Sequence, residues 1–176
     1  MKEKKMRLFG HPIHPMLIVL PLGLFIGAIV IDTIYLFTGG NNLPSVSYFN
    51  ISLGILGGLL AAIFGFTDWL AIPSNTRAKQ IGAWHGIGNV VVVGMFAISW
   101  LFRRANVDFV PSQLALIFSY GAILLGVLTA WLGGELVFRL NVGVDSGANF
   151  DAPSSLSDKP ASPISKPPLS KQPAKR

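Results

Sequence analysis

Histidines, carboxylates and arginines gather at the ends of apolar runs in this chain. His11 and His14 stand in GHPIHP, at the start of the first run; Asp68 and Trp69 close the second; Arg77 precedes the third. His85 and Asn89 lie in its opening turns, four apart and so on one helix face; Glu135 closes the fourth, with Arg139 a turn beyond. Imidazole and carboxylate are nitrogen and oxygen donors for a divalent transition metal, which makes His11, His14, Asp68, His85 and Glu135 a candidate metal set. Imidazoles from two helices at one depth are axial ligands for a b-type haem. That set is His14 and His85, with Arg77 and Arg139 for the propionates and Trp69 and Asn89 in support. Pro12 and Pro15 disturb the spacing of the first two histidines. Pro15 reads as a first-turn proline, which puts His14 at the helix cap and His11 outside it. Pro21 lies within the helix and frees the carbonyl of Leu17, which bends the segment or leaves an acceptor for a neighbour.

The elements that must position these groups are membrane spans. The chain is 51% hydrophobic and 12% charged, with a mean hydropathy of +0.56, about half the charge of a soluble domain. Runs at 15–37, 48–69, 82–102 and 114–138 are each near the ~20 residues a spanning helix needs. Short polar links join them, so the expected fold is an all-α integral membrane protein, a four-helix up-down-up-down bundle over 15–142. A basic segment, 1–14, precedes it. A Pro-, Ser- and Lys-rich tail, 143–176, is expected to be disordered. There is no cysteine, so disulfides, zinc-thiolate sites and cysteine-bound iron–sulfur clusters are excluded. The net charge of +6 sits in the tails and at segment ends, a pattern of membrane orientation and not of nucleic-acid binding. Lys2, Lys4, Lys5 and Arg7, then Arg77 and Lys79, then Arg139 put both termini and the second link on the cytoplasmic side. Arg103 and Arg104 fall on the other side and contradict this.

With alternating helices, His11, His14, Asp68, Trp69, Arg77, His85, Asn89, Glu135 and Arg139 share the cytoplasmic layer. Asp32 stands across the membrane, as an interface residue or a partner of the Asn/Thr loop. Small residues at helical spacing let the helices approach: Gly23 and Gly27; Gly57, Ala61 and Gly65; Gly82 and Gly86; Ala122, Gly126, Ala130 and Gly134. No internal repeat is strong enough to argue from. The plain alternative is that Asp68 and Glu135 pair with Arg77 and Arg139 while the histidines cap helices. No P-loop, dinucleotide fingerprint, nucleophile elbow or HExxH is present. An ordinary soluble enzyme is not expected, and no catalytic residue is assigned.

The segments GHPIHPMLIVLPLGLF, GFTDW, TRAKQIGAWHGIGN and WLGGELVFRLNVGV together resemble the bacterial four-helix membrane family known as domain of unknown function 2231, from about Phe9 to Val144. The resemblance implies a multi-pass protein of the bacterial cytoplasmic membrane, with the bilayer as its first partner. Some members look joined to Rieske-type ferredoxin domains, which implies a link to electron transfer. This chain has no such domain, so a redox role needs a separate soluble partner. His11, His14, Asp68, Arg77, His85, Asn89 and Glu135 fall on the family's motif positions without gaining a role. Four readings follow: a haem module, a divalent-metal site, a small transporter or proton relay, and a cofactor-free scaffold or accessory subunit. A homo-oligomer is left open.

Overall fold

A computed structural model describes residues 7–145, 147–157, 159 and 161. Four helices, each long and apolar enough to cross a membrane, make up the body: α1 (Ile13–Thr38), α2 (Leu43–Ala71), α3 (Arg77–Arg104) and α4 (Gln113–Gly134). The last runs on as a π-helical turn, Glu135–Arg139. A short antiparallel hairpin, β1 (Arg7–Leu8) and β2 (His11–Pro12), precedes α1. Its two-residue turn has Phe9 and Gly10 at φ 51° and 84°, the left-handed pair of a type I′ hairpin.

The helices are longer than the apolar runs because polar caps outside those runs start and stop them. Gly39, at φ 64°, ends α1 by donating its N–H to the Tyr35 carbonyl at 2.8 Å. Thr76 Oγ1 accepts the Lys79 N–H at 3.1 Å to start α3, and Ser112 Oγ accepts that of Ala115 at 3.2 Å to start α4. At α1 the boundary differs from expectation: Pro12 holds the cap position, so His14 lies inside the first turn. The regular helix is interrupted at Ile18. Pro21 has no N–H for the Leu17 carbonyl one turn back, which accounts for the break.

Large apolar side chains such as Val19, Leu56, Val90, Ile117 and Leu124 are exposed around the outside, as the lipid-facing surface of a bundle requires. Inside, α1 packs mainly on α2 and α3 mainly on α4; α2 meets α3 less, and α1 meets α4 less again. The fold is thus two helical hairpins laid together. Phe25 and Phe96 stack between them, ring centroids 3.9 Å apart and planes 3° from parallel. Ala28, Ile51, Val92 and Ala122 complete that core.

The two hairpins repeat one arrangement. On α1, Phe25 follows His14 by eleven residues and Asp32 follows Phe25 by seven; on α3, Phe96 follows His85 by eleven and Arg103 follows Phe96 by seven. Each set lies on an inward stripe: Pro21, Phe25, Ala28 and Asp32 are buried on α1, and Val92, Phe96, Ser99 and Arg103 on α3. The repeat that the sequence does not reveal is therefore present as geometry. Both hairpins begin at the same end, so the halves are related about an axis along the bundle.

Toward the end that carries the α1–α2 and α3–α4 links, Asp32 and Arg103 form an ion pair with both side chains fully buried. Arg103 Nη1 donates to Asp32 Oδ1 at 2.8 Å and Nη2 to Oδ2 at 2.6 Å. Its remaining N–H groups reach Ser47 on α2, Ser99 on α3 and Ser119 on α4, each at 3.3 Å. The serines in turn donate to the carbonyls of Ala28 and Ala115. Asp32 is thus neither an interface residue nor a partner of the Asn/Thr loop, but half of a node joining all four helices. Arg103 is not an exposed basic charge. At the α3–α4 link Phe109 stacks on Tyr48, ring centroids 4.0 Å apart, and Trp100 stacks on Tyr48 at 5.5 Å.

Part of the tail returns to the hairpin. Arg7 bonds Asp145 at 2.7 Å, and Ser155 Oγ lies 3.2 Å from both the Phe9 carbonyl and His11 Nε2. A Cβ at Gly10 would come within 2.8 Å of Ser155. Lys2, Lys4 and Lys5 and residues 162–176 of the tail lie outside the described residues.

Candidate functional site

The end of the bundle that holds the start of α1, the end of α2, the start of α3 and the end of α4 contains every residue of the candidate sets. They fall into four groups there.

The first is the imidazole pair. His14 Nδ1 lies 2.9 Å from the Ala61 carbonyl on α2, and His85 Nδ1 lies 2.8 Å from the Thr129 carbonyl on α4. A carbonyl only accepts, so both rings carry a proton on Nδ1, and the neutral form of each presents a lone pair at Nε2. The arrangement is the same in both hairpins down to the residue behind the ring. A Cβ at Gly65, four residues after Ala61, would lie 2.8–3.2 Å from the His14 ring; one at Gly133, four after Thr129, would lie 3.0 Å from His85 Cε1. Each imidazole is drawn back onto the neighbouring helix, where glycine leaves it room.

Asn89 Nδ2 donates to the His85 carbonyl at 2.8 Å. It also sits 3.4 Å from His85 Nδ1 and 3.3 Å from Nε2; with the proton on Nδ1, only Nε2 can accept from it. The Thr129 hydroxyl shares its proton between Asn89 Oδ1 at 3.1 Å and the Gly126 carbonyl at 2.9 Å. Asn89 and Thr129 together hold the His85 side of the pair. Among the described residues His14 Nε2 has no hydrogen-bond partner, and no buried side-chain nitrogen or oxygen is left unpaired. The Nε2 edge of His14 is therefore open to accessible space.

The second group is Arg77 and Glu135, bonded at 2.7 Å, with Glu135 largely shielded at 16% exposure and Arg77 at 57%. The pairing ties the first turn of α3 to the π-helical turn, where Arg139 is exposed. The third is Trp69, whose Nε1 donates to the Lys79 carbonyl at 3.1 Å while Lys79 Nζ donates to the Trp69 carbonyl at 2.7 Å and stands 3.9 Å over its ring. Trp69 is a latch across the α2–α3 link, whereas Trp84 and Trp131 are exposed as belt residues would be. Asp68, beside it, is half-buried in the last turn of α2. The fourth is His11, exposed on the hairpin against Ser155.

The five proposed metal ligands are not brought to one point. Among the described residues no three His, Cys, Asp or Glu side chains lie close enough to share an ion. Glu135 is turned to Arg77 and His11 to the tail, which leaves the two inward imidazoles as a pair. Arg7, hydrogen-bonded to Asp145, titrates above its ordinary value; its half of that tether stays charged at every pH below that value and is lost only above it.

Residues 10–146 match the family described as predicted membrane protein (DUF2231). The chain belongs to that family. No curated protein and no solved structure matches it. In this DUF2231 chain Ala61, Gly65, Thr129 and Gly133 are the site residues that reading the motifs misses. Ala61 and Gly65 fall in a recognised small-residue stripe, but the α4 stripe runs through Thr129 and Gly133, one residue before the expected Ala130 and Gly134. Gly23, Gly86 and Gly126 do not serve close packing at all: a Cβ on any of them would meet nothing within 4 Å.

Proposed function

We propose that this DUF2231 chain is a cofactor-binding, redox-associated membrane module, its cofactor a haem or a transition metal held at the His14–His85 pair. The observation that carries the reading is the anchoring of both Nδ1 atoms on backbone carbonyls. Ligating histidines use this device to fix ring and tautomer while Nε2 takes the metal. The module belongs in a bacterial inner membrane with both termini cytoplasmic. The burial of Arg103 supports that orientation, because a paired and buried arginine no longer counts against the distribution of basic residues. A soluble electron carrier of the Rieske type is the partner such a site would serve at the cytoplasmic face.

An optical spectrum and elemental analysis of detergent-purified protein test the proposal. Either a haem band or a stoichiometric transition metal is expected, and both are lost together when His14 and His85 are changed to alanine. Protein with neither, after supplementation with both, overturns it. Reporter fusions at the two termini and the 39–42 and 105–112 links test the orientation.

A second reading is favoured by the two clamps, Arg77–Glu135 and Trp69–Lys79: a cofactor-free scaffold or accessory subunit whose locked end presents a surface to another membrane protein. Co-purification of a stoichiometric partner by cofactor-free protein supports that reading; its absence counts against it.

A further inference from the structure

We infer that the pair takes one haem per chain, its iron held between Nε2 of His14 and Nε2 of His85. This rests on the reading of the pair as a cofactor site and names the cofactor.

The number of ligands decides between a bare ion and a haem. A small divalent ion in an imidazole and carboxylate site needs three or four protein donors. Two imidazoles, His14 and His85, are anchored on backbone carbonyls at this end, and no group of three His, Cys, Asp or Glu able to hold an ion is present among the described residues. Haem iron brings four nitrogens of its own and lacks two axial ligands.

The register of the two helices puts those ligands opposite each other. His14, Phe25 and Asp32 on α1 match His85, Phe96 and Arg103 on α3 at identical spacings. Two of the three pairs meet across the axis: the phenylalanines at 3.9 Å and the charges at 2.6 Å. The histidines are the third pair on the same inward stripes. They are also the pair that does not close on itself. His14 leans to α2 and His85 to α4, each onto a glycine. The two nitrogens of an imidazole lie on opposite edges of the ring, so each Nε2 points away from the carbonyl that holds Nδ1. The rings are withdrawn to the sides, as a flat group between them requires; His14 Nε2 has no partner among the described residues, and His85 Nε2 meets only the Asn89 amide, at 3.3 Å. Of the four neighbouring helix pairs around the bundle, α1 and α4 pack least, and entry of the planar molecule is assigned to that side. At the same end Arg77 and Arg139 are exposed cations, suited to carboxylates projecting from the ring edge.

The test uses the full chain in detergent, freed of haem and titrated with iron protoporphyrin IX, with zinc and manganese titrated in parallel. One haem per chain is expected, with a six-coordinate low-spin spectrum. His14→Ala and His85→Ala should each give a five-coordinate high-spin species and at least about tenfold weaker binding. His14→Met and His85→Met guard against a misfolded alanine variant: each should keep six ligands and raise the reduction potential. A wild-type titration without a low-spin species, or a low-spin species that survives both alanine variants, overturns the inference. If haem fails but a stoichiometric metal binds and is lost in the alanine variants, the haem is overturned and the broader cofactor reading stands. If neither binds, both fall.

Discussion

Arg103 offers five N–H donors, and five hydrogen bonds to four residues use them. Such a pair is worth little relative to a well-packed apolar substitute, but removing one partner strands the other in an apolar interior. Arg103→Ala or Asp32→Ala should therefore each cost about 3–5 kcal/mol in detergent unfolding, and Asp32→Leu with Arg103→Met should recover most of it. A single variant as stable as the wild type would show that the pair is hydrated and not sealed. The glycines make a second prediction at this scale. Gly65→Ala places a methyl group against the His14 ring and should weaken cofactor uptake by displacing it. Gly23→Ala meets nothing and should leave uptake intact while stabilising α1 by up to about 1 kcal/mol; equal effects of the two on uptake would remove the assigned role of Gly65. Residue type announced the histidines, Asn89, Arg77 and Glu135, because charged and imidazole groups stand out in apolar runs. It misplaced Asp32 and Arg103, because their meeting depends on helix faces and not on their distance from the ends.

The spans were legible as elements because a bilayer imposes length and composition together. Their ends were not, since caps such as Thr76 and Ser112 lie in polar sequence that looks like loop. Thr76→Ala should cost about 1 kcal/mol through the lost bond to Lys79, read as a lower midpoint of thermal unfolding. The Arg77–Glu135 clamp is weaker than its 2.7 Å length suggests. Arg77 is more than half exposed, so Glu135→Gln should cost no more than about 1 kcal/mol, and less in high salt. A much larger loss would mean that Glu135 holds something besides Arg77. The small-residue stripes were a guide in part: Gly27, Gly57, Gly65 and Gly82 do face a close neighbour. Glycine at helical spacing permits close approach, but a neighbour must be there to make use of it, and Gly23, Gly86 and Gly126 have none.

At the scale of the whole molecule, the internal repeat was illegible because the halves keep geometry and not residue type. Aspartate faces arginine and Pro21 answers to Val92, while the histidines, the phenylalanines and the glycines behind the rings, Gly65 and Gly133, are among the few pairs that match. What the halves share is an inward stripe and an imidazole anchored on the second helix of its own hairpin. Each hairpin therefore contains its own histidine anchor, while the ion pair and the phenylalanine stack belong to neither alone. This predicts how a severed chain behaves. Pro73, Ser74 and Asn75 are exposed in the link between hairpins, and α1–α2 and α3–α4 contacts dominate the packing. Residues 1–74 and 75–176, co-expressed as separate chains, should each insert and should co-purify. Because no covalent link then holds the hairpins together, Asp32→Ala should abolish the association, whereas in the intact chain the same change only lowers stability. Affinity capture of one half followed by detection of the other reads this directly. Halves that never associate would show that the α2–α3 link, and not the buried contacts between the hairpins, assembles the bundle.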